Sequence, residues 1–267
     1  MTRTIVFVHG AWVTPACWGP FQRYFEARGY TCLAPAWPGK DRPLEEIRAD
    51  PSPLRGLGLG ELAAHHEALV RRLEEPPILI GHSFGGLLVQ VLLDRGLGAA
   101  GVAIHPAPPN GVFALQPTTV RSLASVLLTP LGWRKVVHWS FQDFRYAFVD
   151  GLPPAEQRAA FDDHVTPESG RIFFQGALAW LRSGGPCRVE FAKDDRAPLL
   201  IVAGSADRIV PAATNRRAFG KYRRSPARTD YLELAGRTHW TIAQTGWQHV
   251  AGSIGTWLEE RDLGATA

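Results

Sequence analysis

Residues 78–89 read Ile-Leu-Ile-Gly-His-Ser-Phe-Gly-Gly-Leu-Leu-Val. Ile78 to Ile80 is a short apolar strand, and Phe84 to Leu93 continues as a helix. A tight turn between them needs only glycine, so the turn alone does not explain the serine at its tip. Gly81-His82-Ser83-Phe84-Gly85 fits the pattern G-x-S-x-G in the strand–turn–helix context that pattern requires. Such a turn forces the serine backbone into strain, and small residues two positions to either side keep neighbouring atoms from clashing. The hydroxyl then projects into the crevice at the strand end, with the helix N-terminus beneath it.

The same alternation extends along the chain. Thr4–Val8 is a continuous β-branched and aromatic run, as in a strand buried on both faces. Further strands are predicted over Thr31–Trp37, Ala100–Ile104, Leu199–Ala203 and Tyr231–Leu234. Helical spacing covers Leu59–Leu73, about Ala212–Tyr222 and about Trp247–Glu260. Strands separated by helices predict an α/β fold, a mostly parallel sheet of about six strands covered on both faces. The connections are long enough for right-handed crossovers.

One stretch departs from this rhythm. Between Pro106 and Arg196 no strand is predicted, only helical patterns divided by Pro130, Pro153-Pro154, Pro167 and Gly184-Gly185. The stretch is rich in bulky apolar groups, among them Trp133, Trp139, Phe141, Phe144, Phe148, Phe173, Phe174 and Trp180. It divides the chain into a core in two parts, residues 1–106 and 197–267, and an insertion over 107–196. An insertion between two strand ends lies where open α/β sheets bind ligands, and reads as a helical lid. Extra helices packed as core are the alternative.

Composition sets the frame. The chain has 267 residues, 45% hydrophobic and 20% charged, ordinary for one globular domain with a large core. No apolar run approaches the ~20 residues that span a bilayer. The start, Met1-Thr2-Arg3-Thr4, shows no secretory cleavage site, and a cytoplasmic location is the expectation. Cys17, Cys32 and Cys187 have no metal-type spacing and read as reduced, packed thiols. The net charge of +4 is mild, and the pairs Arg71-Arg72, Arg216-Arg217 and Arg223-Arg224 read as solvated surface. No nucleic-acid partner, membrane span, metal or cofactor is expected, and the chain reads as a monomer or homodimer.

A serine hydroxyl is a weak nucleophile near neutral pH and needs a base. After an elbow of this kind the partners follow in the order acid, then histidine. Leu199 to Gly204 leads into a loop carrying Asp207, and Leu234 leads into a loop carrying His239. Asp207 is expected to orient His239, and His239 to take the proton of Ser83 and return it to the leaving group. Asp194 and Asp195 stand at the wrong end of their strand, and His105, not a carboxylate, ends the fourth. His65, His66 and His249 fall in helices; His138 and His164 fall in the insertion without a partner. Two backbone N–H groups are expected to meet a tetrahedral oxyanion: that of Phe84, and that of Ala11 in the loop His9-Gly10-Ala11-Trp12. Trp12, His105, Trp139 and Trp240 are candidates for the pocket wall.

Val8-His9-Gly10-Ala11-Trp12 with Trp18, then Gly81 to Gly86, then Asp207 and His239, together resemble the α/β-hydrolase superfamily from the first strand to the last helix. The N-terminal pattern and helical insertion most resemble its branch of plant methylesterases, hydroxynitrile lyases and similar bacterial esterases. That resemblance implies cofactor-free acyl chemistry on small or medium esters, with Ser83, Asp207 and His239 at the triad positions and Ala11 and Phe84 at the oxyanion donors. The lyases of the branch carry a threonine in the first-strand loop and a lysine after the histidine. Here those positions are Ala11 and Trp240, which leaves a departing cyanide no cationic partner. Ser83 excludes a nucleophilic aspartate, and the start of the chain implies no antiparallel edge hairpin. The expected function is a serine hydrolase cleaving an apolar or aromatic carboxylic ester through an acyl-enzyme. A C–C bond hydrolase or lyase with the same triad, and a ligand receptor of slow turnover, are the alternatives.

Overall fold

A computed structural model describes residues 3–264. Met1 and Thr2, on which the reading of the N-terminus partly rested, lie outside them. The main sheet holds β1 (Thr4–Val8), β2 (Thr31–Leu33), β3 (Ile78–His82), β4 (Ala100–Ile104), β7 (Leu199–Gly204) and β8 (Thr229–Leu234). Its order is β2-β1-β3-β4-β7-β8, and every pairing is parallel. The strands with unbroken apolar runs occupy the centre: β3, β4 and β7 are buried at every position. β2, exposed at Thr31 and Leu33, and the partly buried β8 take the two edges.

Between the strands run α1 (Gly19–Glu26), α2 (Leu44–Ala49), α3 (Leu59–Val70), α4 (Phe84–Asp94) and α9 (Ala212–Tyr222), with α10 (Trp247–Glu259) after β8. α1 packs beside α10, and α3 beside α4. α4 follows the elbow and is buried from Phe84 to Leu93. Its one polar interior side chain, Gln90, donates to Gly86 O and accepts from the Tyr222 hydroxyl. A buried amide needs such partners.

Two predicted elements are shorter than expected. β2 ends at Leu33 rather than Trp37. Pro35 has no N–H to give a ladder, and the Trp37 N–H turns inward to His9 Nε2. α3 ends at Val70 rather than Leu73, and Arg72 and Leu73 close as tight turns ahead of Pro76.

The insertion between β4 and β7 contains α5 (Pro117–Leu127), α6 (Phe141–Ala147), α7 (Pro154–His164) and α8 (Gly170–Ala177). α5 and α7 open on proline, whose missing N–H costs nothing in a first turn. α6 opens on a capping box of Ser140 and Asp143. The expectation of no strand here is corrected. β5 (Val136–Val137) and β6 (Glu168–Ser169) pair antiparallel. Two residues are too few for an alternating pattern to show in sequence.

Parallel strands bring all their C-terminal ends to one edge of the sheet. The loops after β1, β3, β4, β7 and β8 therefore meet there. They carry Ala11, Ser83, His105, Asp207 and His239, and the order reverses between β1 and β3, where such sheets open a crevice.

Candidate active site

Ser83 sits at φ 58° and ψ −121°, the strained conformation its turn demands. Glycine makes the turn possible. A Cβ on Gly81 would overlap the Gly85 carbonyl, and one on Gly85 would overlap the Val8 carbonyl in β1. Across the crevice, a Cβ on Gly10 would come within 2.8 Å of Ser83 Cβ.

The three side chains named from sequence come together. Ser83 Oγ lies 2.9 Å from His239 Nε2, and His239 Nδ1 lies 2.6 Å from Asp207 Oδ2. The donor pattern assigns Nδ1–H to the carboxylate and leaves Nε2 to accept the serine proton. Asp207 Oδ1 accepts the N–H groups of Ile209 (2.9 Å) and Val210 (2.8 Å). Burial alone would raise the Asp207 carboxyl. The electrostatic interaction with His239 and hydrogen bonds from His105 and His239 outweigh burial and hold it far below the usual carboxylate range.

Two further histidines hold the site. His82 Nε2 donates to the His239 carbonyl at 2.7 Å. His105 Nδ1 donates to Asp207 Oδ2 at 2.8 Å, the oxygen that His239 also uses. Burial pushes both rings below the ordinary imidazole value, against the opposing pull of Asp207. His105, Asp207 and His239 offer ligand atoms within 4.8 Å of one another, the one such group among the described residues. Both Nδ1 atoms are committed as donors to Asp207, which leaves that face of the group unsuited to a cation.

The loop after β1 is also fastened. His9 Nδ1 donates to Gly10 O at 2.8 Å, its Nε2 accepts the Trp37 N–H at 3.2 Å, and its ring stacks on Trp37. The Trp12 N–H donates to Glu168 Oε2 at 3.2 Å. That carboxylate meets Lys40 Nζ at 2.6 Å, with both side chains fully buried. Asp41 and Arg42 follow Lys40 in the chain, and nothing in that polar stretch marks it as an interior residue.

A cavity of about 610 Å³, counting its open mouth, lies against Ser83. Ala11, Trp12 and Phe84 line it beside the serine; Leu123, Phe148 and Phe173 extend the apolar wall. No charged side chain lines it among the described residues. Of the residues named for the pocket wall, Trp12 lines this cavity, and His105, Trp139 and Trp240 do not. His105 points beneath the strand ends to Asp207. Trp139 stacks behind Trp12, with ring centroids 4.3 Å apart. Trp240 packs on His164, Phe144 and Phe148.

The family profile described as "Alpha/beta hydrolase family" matches residues 5–246. No curated protein sequence matches the chain significantly. Solved structures do. A monoacylglycerol lipase of Paleococcus ferrophilus is 20% identical with a TM-score of 0.66, over 96% of this chain and 95% of that one. A pyrethroid hydrolase from Sphingobium faniae JZ-2 is 20% identical with a TM-score of 0.66, over 97% and 98%. A methylesterase from Arabidopsis is 13% identical with a TM-score of 0.66, over 97% and 99%. At such identities the likeness is one of fold.

Proposed function

The chain belongs to the alpha/beta hydrolase family, and on that premise we propose that it is a serine hydrolase acting on small to medium, apolar or aromatic carboxylic esters. The observation that carries this reading is the unbroken line Ser83 Oγ, His239, Asp207, at 2.9 and 2.6 Å, opening on an apolar cavity. Ser83 Oγ attacks the ester carbonyl as its proton passes to His239 Nε2. The tetrahedral oxyanion meets the N–H groups of Ala11 and Phe84. Trp12 is unsuited to that role, since its N–H is held by Glu168. The C–O bond to the alcohol breaks, and the alcohol leaves with the proton from His239. Water, deprotonated by His239, then attacks the acyl-Ser83 ester, and the acid departs as the serine regains its proton.

The cavity supports the substrate class. Its wall is apolar, as small-ligand sites that bind through buried apolar area are. Its polar side chains beside Ser83 are Thr119 and Thr214, and both are engaged, with Ile209 O and Gln116 Nε2. A charged substrate would find no counter-ion in this wall, and a neutral acyl or aryl group needs none. Residues 107–196 act as the lid: α5 and α8 supply Thr119, Leu123, Gly176 and Ala177 to the roof. No lysine or arginine lines the cavity among the described residues, which disfavours a cyanide-releasing lyase.

The test is labelling by a fluorophosphonate, with turnover on a panel of neutral and anionic aryl esters. The expected result is stoichiometric label on Ser83, lost in Ser83→Ala, with neutral esters preferred by about 100-fold or more. A wild-type protein that takes no label and turns over no ester would overturn the reading.

A further inference from the structure

We propose that the buried Lys40–Glu168 ion pair positions the oxyanion loop, so that the insertion completes the active site as well as covering it. The inference rests on the ester-hydrolase reading above. It starts from Trp12, whose φ of +70° is unusual for a bulky residue and persists only where surroundings impose it. Four contacts hold Trp12, and all four come from the insertion. Its N–H donates to Glu168 Oε2, and its carbonyl accepts the Thr166 N–H at 2.8 Å. Its indole stacks on Trp139 and on Phe173, at 4.3 and 4.9 Å.

Lys40 locks this arrangement from the core side. It reaches from the loop after β2, and its ammonium donates to Glu168 Oε2 (2.6 Å), Thr166 Oγ1 (3.0 Å) and Val13 O (3.0 Å). Those three acceptors use all three of its protons. Glu168 is equally committed, since its Oε1 accepts the Ser169 N–H. One ion pair thus ties the residues on either side of the Trp12–Val13 peptide to the insertion at Thr166 and Glu168. The Ala11 N–H belongs to the Gly10–Ala11 peptide, directly before this clamped segment, and Ala11 lines the cavity with Ser83. Without the clamp, Trp12 relaxes toward negative φ, the Ala11–Trp12 segment loses its fixed position, and the Ala11 donor, one peptide further back, is no longer held in place. Lys40 and Glu168 touch no reacting atom; they are positioning residues.

The pair is tested by removing both charges together, because removing one strands the other in the core. Two double variants are compared with wild type: Lys40→Met with Glu168→Leu, which takes away the acceptor for Trp12, and Lys40→Met with Glu168→Gln, which keeps an amide oxygen there. The Met/Leu variant should melt within a few degrees of wild type. Its kcat on a neutral aryl ester should fall by about 100-fold with KM nearly unchanged, the pattern of a lost transition-state donor. Binding of an alkylboronic acid, whose tetrahedral adduct on Ser83 mimics the oxyanion, should weaken in parallel. Hydrogen exchange in residues 9–14 should accelerate by about tenfold. The Met/Gln variant should recover most of the lost kcat. Unchanged exchange in residues 9–14, or a Met/Leu variant with wild-type kcat, would overturn the clamp. If the wild type neither turns over nor takes a fluorophosphonate label, the hydrolase reading fails instead, and the exchange measurement alone decides the clamp.

Discussion

His105 Nδ1 and Asp207 Oδ2 lie 2.8 Å apart in the fully buried floor of the site, although 102 positions separate them in the chain. Asp207 therefore carries four donors: two backbone N–H groups on Oδ1 and two imidazoles on Oδ2. Such a carboxylate cannot rotate, and it keeps its charge because every lone-pair direction is met. The two imidazoles are not equivalent, because of the pair only His239 reaches Ser83.

That asymmetry sets the first prediction. Asp207→Asn should lower kcat by about 10³–10⁴, since an amide presents a donor where His239 needs an acceptor. His105→Leu removes one of four donors and no atom in contact with the serine, and should cost less than about tenfold. Steady-state kinetics on a neutral aryl ester, with thermal melts as the control for folding, compare the two. Equal losses would mean that both imidazoles serve the reaction alike.

The elbow makes a steric prediction. Gly85→Ala should destabilise the fold by about 3 kcal/mol or more, because its Cβ overlaps the Val8 carbonyl of β1, which cannot shift without disturbing the ladder to β3. Gly184→Ala is the matched control: a Cβ there meets nothing within 4 Å. Chemical denaturation of the two variants should differ sharply, and a Gly85→Ala protein as stable as wild type would contradict the packing described.

The pH dependence of stability follows from the buried histidines. Burial lowers His66 from 6.5 to about 4, with its Nδ1–H on Leu62 O. Between those values the unfolded chain binds a proton that the folded chain does not, so stability rises with pH in that window and is lost on acidification. The lowering amounts to about 3 kcal/mol by pH 4 for this residue. His9 and His82, also lowered by burial, act in the same direction. Asp207 adds a second loss at lower pH, below the ordinary carboxylate range, because its folded form holds the charge that the unfolded form gives up. Urea melts from pH 7.5 to 4 should show the decline, and His66→Leu should flatten it; parallel curves for the two proteins would refute the assignment.

The sequence by itself determined the sheet and the three side chains at its rim. Apolar runs of four to six residues mark strands buried on both faces, and G-x-S-x-G marks its turn because only glycine fits beside that serine. Parallel strands share one C-terminal edge, so residues far apart in the chain could be placed together before any coordinates. Only the tertiary structure decided what surrounds them. Lys40 sits in a polar run and Glu168 in a strand of two residues, and neither carries a periodic signal of burial. Their burial is permitted by each other, a relation between a loop and a short strand 128 positions apart. The same holds for His105 on Asp207, and for Trp139 and Trp240, which pack behind the cavity wall rather than on it. Local patterns report the face an element turns to the core. The partner a polar group finds there depends on how the loops close, and that is a property of the folded chain alone.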